Sequence, residues 1–125
     1  MSSSLSSQNK LKSKAKIDFV FSKGSFLKVS GFSLVYKAQE PKSSSGVRVG
    51  FSVGKKTQPM AVDRNKTRRI MRESFRLLFS KSFSRSSVYY DLMVVCGEKA
   101  VPSFALASDK IKSLLLSFAE IIKND

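Results

Sequence analysis

The chain has 125 residues, 42% of them hydrophobic, with 23 Lys and Arg against 9 Asp and Glu and a formal net charge of +14. That length supports one domain around one core, and the charge points to nucleic acid ahead of an anionic membrane. With a single cysteine and no histidine, internal disulfides and cysteine-rich zinc sites are excluded, and the commonest general base and metal ligand are missing. The basic excess is uneven: residues 1–90 hold 19 basic and 4 acidic side chains, residues 91–125 only 4 and 5. The C-terminal part therefore reads as scaffold, and the partner-binding surface lies before it. The opening MSSSLSSQNK lacks the apolar core of a secretory signal, and no apolar stretch reaches transmembrane length. A cytoplasmic protein with no membrane partner is expected.

Residues 1–9 are serine-rich and predict a disordered tail, which leaves residues 10–125 as a single nucleic-acid-binding domain. Lys10, Lys12, Lys14 and Lys16 make a basic arm. A short helix is predicted over 15–23, with Ile17, Val20 and Phe21 on one side and Gly24 as its stop. Phe32–Lys37 alternates as a strand, with Phe32, Leu34 and Tyr36 inward and Ser33, Val35 and Lys37 outward. Residues 38–46 read as a loop around Pro41 and a serine run. Val47–Val53 alternates again, with Val47, Val49, Phe51 and Val53 inward and Arg48, Gly50 and Ser52 outward. The two strands are expected to pair as a hairpin. Their outer face is made of small, polar or basic groups and carries a glycine that permits close backbone approach, which suits an extended single strand of nucleic acid as well as plain solvent.

Lys55 and Lys56 follow, then a turn over Thr57–Met60 and a helix running to about Phe79, with Asp63 as its N-cap or first-turn acid. Free amides at that helix start would also suit a phosphate. Arg64, Arg68, Arg72 and Arg76 recur every four residues and form one row down the helix, flanked by Asn65 and Arg69. Ile70, Met71, Ser74, Phe75, Leu77 and Leu78 gather on the other side. Like charges at this spacing repel, and Glu73 is expected to lie away from the row. A polyanion along the row removes the repulsion, and guanidinium suits bidentate phosphate contacts. Lys81 and Arg85 sit in the serine-rich link that follows. Val88–Cys96 is apolar on both faces and predicts a central strand with Cys96 in the core. Ser103 is the expected cap of a last helix over 103–123, whose stripe comprises Phe104, Ala107, Ile111, Leu114, Leu115, Phe118, Ile121 and Ile122. The fold class is α+β: a single-domain sandwich with a mixed four-stranded sheet and about three helices, in the order α-β-β-(β)-α-β-α.

No catalytic constellation can be assembled. Histidine is absent, carboxylates are scattered and there is no Gly-rich phosphate loop, so a two-metal protein nuclease is improbable.

RVGFSVGKK over residues 48–56, followed by AVDRNK over 61–66 and RRIMRE over 68–73, resembles the protein subunit of bacterial ribonuclease P. That family carries RVGFSVSKK and then NAVxRNRxKRxxRE. Three positions depart from it: Lys66 replaces the second arginine of the Arg-Asn-Arg triplet, Pro59-Met60 stand for Gly-Asn, and Gly54 stands for serine. The resemblance implies a left-handed β-α-β crossover, against the usual rule. It also implies an endoribonuclease whose chemistry belongs to the RNA subunit, where Mg2+ is mainly held and no protein side chain is catalytic. Lys55, Lys56, Arg64, Asn65, Lys66, Arg68, Arg69, Arg72 and Arg76 are then the contacts to the catalytic RNA. Lys12, Ile17, Phe21, Ser33, Val35, Lys37, Arg48 and Ser52 face the 5′ leader of precursor tRNA. Phe21 keeps the family's aromatic character, whereas Ile17 and Val35 stand where aromatics are usual. The rival reading is a non-catalytic RNA-binding module, such as a ribosomal protein or an RNA chaperone. It explains charge and fold class equally well but not the ordered motif from Arg48 to Glu73. A DNA-binding recognition helix and a protein-only nuclease rank lower, and no DNA partner is expected.

Overall fold

A computed structural model of the protein describes residues 14–39, 47–82 and 89–123. The expected N-terminal tail, Lys10, Lys12, most of the serine-rich loop and the link carrying Arg85 lie outside those residues. The elements are α1 (Lys14–Lys23), β1 (Ser25–Val29), β2 (Phe32–Ala38), β3 (Arg48–Val53), α2 (Ala61–Ser82), β4 (Tyr90–Cys96) and α3 (Phe104–Lys123). Three helices and a mixed four-stranded sheet make an α+β fold, as expected.

The sheet order is β1-β2-β4-β3. β2 is antiparallel to both β1 and β4, while β3 runs parallel to β4. The expected hairpin between β2 and β3 therefore does not form. Two local facts redirect the pairing. Phe26-Leu-Lys-Val29 is itself a strand and turns back through Ser30-Gly31 into β2, with Val29 opposite Phe32. Gly31 makes that turn at φ 82°, a conformation side-chain-bearing residues avoid. In addition, β4 pairs with β2 on one edge and with β3 on the other, and its burial on both faces from Asp91 to Val94 fits that central place.

One face of the sheet carries the main core. Phe32, Leu34, Val49, Val53, Leu92, Val94 and Cys96 meet Met71 and Phe75 of α2 and Ile111, Leu114, Leu115 and Phe118 of α3. Each such side chain contributes about 1.5–3 kcal/mol by leaving water. Aromatic contacts fasten each helix. Phe75 meets Phe51 edge-on at 5.8 Å and stacks on Phe79 at 5.3 Å, while Phe118 meets Tyr36 and Tyr90 at 5.3 and 5.2 Å. Ser74 and Ser108 let α2 and α3 approach closely and share a hydrogen bond of 3.1 Å. Ser103 caps α3 as expected, its Oγ accepting from the Leu106 amide at 3.1 Å. Phe104 and Leu77, both placed in apolar stripes by periodicity, are exposed at the margins.

The other face is covered by α1. Val20 is buried against Val35 and Met93, with Ile17 and Val95 packed beside them. Gly24 ends α1 as expected, its amide donating to the Val20 carbonyl at 2.8 Å. A Cβ at Gly24 would come within 2.6 Å of the Tyr36 carbonyl oxygen, so glycine lets the helix end lie directly on β2.

Candidate nucleic-acid interface

The turn between β3 and α2 is built around Gln58, which is only 1% exposed. Its Nε2 donates to the carbonyls of Glu98 and Ala100 at 2.9 and 3.2 Å, and its Oε1 accepts from Thr67 Oγ1 at 2.8 Å. Its backbone amide donates to the Gly54 carbonyl at 3.0 Å. One side chain thus ties the helix start to the turn after β4. Sequence periodicity gave no sign of it, because a glutamine in a turn ordinarily reads as solvated. The only hint was Thr67, buried on the packing side of α2 and polar.

Arg64 belongs to the same construction. Its Nη1 donates to the carbonyls of Gln58 and Pro59, both at 2.9 Å. Its guanidinium is partly engaged in closing the turn, which the row of four arginines does not convey. Asp63 lies in the first turn of α2 rather than at its cap. Further along, Arg68 donates to Asn65 Oδ1. Arg76 forms an ion pair of 2.6 Å with Glu73, which corrects the expectation that Glu73 stands apart from the row. Three residues are close to one helical turn, so Glu73 reaches Arg76 although it is off the i+4 line. Lys55, Lys56, Asn65, Lys66, Arg69 and Arg72 are exposed. Lys55, Lys56, Lys66, Arg69 and Arg72 make no ion pair among the described residues. They form the available cationic edge.

The α1-side face of the sheet follows from the strand register. Lys37, Asp91 and Arg48 lie abreast on β2, β4 and β3, and Val35, Met93 and Gly50 form the next rank. Ser33, Val95 and Ser52 form the third. Arg48 is not a free cation here. Its Nε and Nη2 donate to the two oxygens of Asp91 at 2.7 and 3.0 Å, with side chains 18% and 11% exposed. Gln39 Nε2 donates to the same carboxylate at 3.1 Å. The pairing arises from register, since Arg48 and Asp91 are direct neighbours in the parallel pair. Sequence alternation turned Arg48 outward but did not set Asp91 on the same face or beside it.

Val35, expected to face outward, is 8% exposed because α1 lies on it. The open part of this face is consequently narrower than the alternation suggests. Ser33, Lys37 and Ser52 keep partial exposure, Ile17 is half-buried and Phe21 is exposed. Phe19 is exposed as well, with Lys37 Nζ 5.6 Å from its ring centroid. Lys12 lies outside the described residues.

A family model described as Ribonuclease P matches residues 5–119. The chain belongs to the ribonuclease P protein family. The ribonuclease P protein component of Chlorobaculum tepidum is 45% identical over 67 residues, 51% of this chain and 44% of that protein. That of Chlorobium phaeobacteroides is 32% identical over 103 residues, 74% of this chain and 69% of that protein. The matched part thus spans less than half of the first relative's length. In fold, the chain is similar to the ribonuclease P protein of Staphylococcus aureus, with a TM-score of 0.71 at 23% identity over 88% of this chain and 94% of that one.

For a ribonuclease P family member the distribution of acids is informative. No three of His, Cys, Asp and Glu gather in a way that could hold a metal among the described residues. Asp91 on β4 and Glu73 on α2 are each paired with an arginine. No described helix is long and apolar enough to cross a membrane.

Proposed function

We propose that this chain is the protein subunit of a ribonuclease P holoenzyme. It binds the catalytic RNA subunit along the α2 edge and the 5′ leader of precursor tRNA along the α1-side face of the sheet. In this reading the RNA subunit would hold Mg2+, which would supply the activated water for hydrolysis of the phosphodiester at the mature 5′ end. The products are a 5′-phosphate on the tRNA and a 3′-hydroxyl on the leader. The protein's part is electrostatic and positional: it lowers the cost of bringing two polyanions together and adds contacts that only a precursor, not the product, can make.

The observation that carries this reading is a set of exposed cations free of acidic partners among the described residues: Lys66, Arg69 and Arg72 on the outer side of a helix whose start is locked by Gln58, with Lys55 and Lys56 in the turn that leads into it. Family membership supports a ribonuclease P RNA as the partner. Arg64 and Arg68 remain RNA contacts in the proposal, with Arg64 also shaping the turn.

The test is precursor-tRNA cleavage at low millimolar magnesium, using the ribonuclease P RNA of the protein's own source, with and without this chain. The expected result is cleavage at the mature 5′ end that needs the RNA and is strongly enhanced by the protein, with none from the protein alone. Tight RNA binding without enhancement would demote the chain to a general RNA-binding module.

A further inference from the structure

Phe26 and Lys28 stand at the far edge of the α1-side face, and neither is accounted for by core or by the site above. Periodicity along β1 sends Leu27 and Val29 to the main core and leaves Phe26 and Lys28 on the opposite face. The register places Phe26 beside Val35 and Lys28 beside Ser33. They therefore continue two of the three ranks that the leader reading uses, one strand further out. Phe26 is 63% exposed, more than any other phenylalanine among the described residues. Lys28 Nζ lies 5.8 Å from its ring centroid.

A solvated aromatic ring on a half-exposed strand gains nothing for folding. Beside a lysine it matches what single-stranded nucleic acid requires: a π-face for a base and a cation for the adjoining phosphate. The segment itself has the right sign, since residues 14–38 carry five lysines against one acid, Asp18. β1 is also the edge strand, so an extended chain leaving the sheet on this side meets no further strand.

We propose that Phe26 and Lys28 form an additional nucleotide position for the single-stranded leader, Phe26 stacking one base and Lys28 neutralising its phosphate. The proposal rests on the leader-binding reading and extends it to the β1 edge. It makes leader length a determinant of affinity: leaders long enough to reach β1 gain a contact that short ones lack.

The test uses the holoenzyme assembled from the full chain and the RNA subunit, with precursors that differ only in leader length. Wild type is expected to bind longer leaders more tightly. F26A is expected to lose about tenfold of that gain, within the range that a stacked base is worth, while mature tRNA and the shortest leaders bind as before. F26Y keeps the gain, and K28Q lowers the salt slope by about 0.7. An abasic leader nucleotide at the position that reaches Phe26 costs wild type as much as F26A does, and costs F26A nothing more. F26A that follows wild type at every leader length overturns the proposal, as does a change confined to self-association measured by sedimentation. Wild type showing no dependence on leader at all overturns the leader-binding reading itself, which is read separately from the variants. Melting curves of F26A that match wild type exclude an unfolding artefact, as expected for a side chain this exposed.

Discussion

Taking one partner from the Arg48–Asp91 pair leaves a charge that is mostly shielded from water, and such a loss costs about 3 kcal/mol at burial of this kind. The Gln39 donor to Asp91 moderates it. Arg48→Ala is therefore expected to lower stability by about 2–3 kcal/mol in urea titration, and Asp91→Asn added to it to recover part of the loss. Arg48 thus contributes to the α1-side face chiefly by holding it in shape. A variant with unchanged stability but altered leader binding would contradict that assignment. Gln58 gives a sharper case. Gln58→Ala strands two carbonyls and the Thr67 hydroxyl, each buried polar group costing about 1–3 kcal/mol. Gln58→Glu is expected to be worse than alanine at neutral pH, because it turns a buried carboxylate oxygen toward the Glu98 and Ala100 carbonyls. The order of the two midpoints in a denaturant titration decides the matter.

At the scale of elements, α2 performs two jobs on two faces, and the sequence displays one better than the other. Its length, its core side around Met71 and Phe75 and its cationic side are all legible from spacing, because 3.6-residue periodicity directly encodes burial. What spacing cannot encode is who sits opposite. The partners of Arg64 and Arg48 depend on a turn and on strand order, which alternation does not encode: the short β1 takes one edge of β2, and β4 takes the other and pairs with β3. This division separates the arginines by expected phenotype. Joint replacement of Lys66, Arg69 and Arg72 by alanine leaves the thermal midpoint nearly unchanged, since all three are exposed. It lowers affinity for the RNA subunit and flattens the dependence of log K on log salt by about 2, at roughly 0.7 per phosphate contact on single strands. Arg64→Ala, in contrast, lowers the midpoint and the affinity together, because it releases the Gln58 and Pro59 carbonyls. Equal salt slopes for the triple variant and wild type, measured in the same buffer series, would remove α2 from the RNA-binding surface.

At the scale of the whole molecule, the cationic surface and the apolar core are linked through global stability, and Cys96 reports on the link. It lies in β4 between β2 and β3 and is 1% exposed. Burial, with some help from the Glu98 charge, pushes its thiol above the usual value of 9.0, against a backbone hydrogen bond near Glu98 that pulls the other way. Since only the thiolate reacts, labelling by a thiol reagent requires β4 to part from its neighbours. Labelling is expected to be slow and to accelerate with urea at the slope of global unfolding. Fast labelling with a shallow slope would mean that the end of β4 opens locally. The raised thiol also gives a pH signature. The unfolded chain releases this proton first, so the contribution to stability is complete below about 9.0 and is lost as pH rises through the folded value. Cys96→Ala, measured beside wild type across that range, is expected to lack this loss whatever its stability at neutral pH. Finally, a ligand that binds only the folded chain slows labelling by the factor 1 + [L]/Kd without approaching the thiol. Saturating RNA subunit should protect Cys96 by that factor in wild type and by less in the Lys66, Arg69 and Arg72 variant at equal RNA concentration. Protection that is the same in both would mean the RNA engages some other face of the protein.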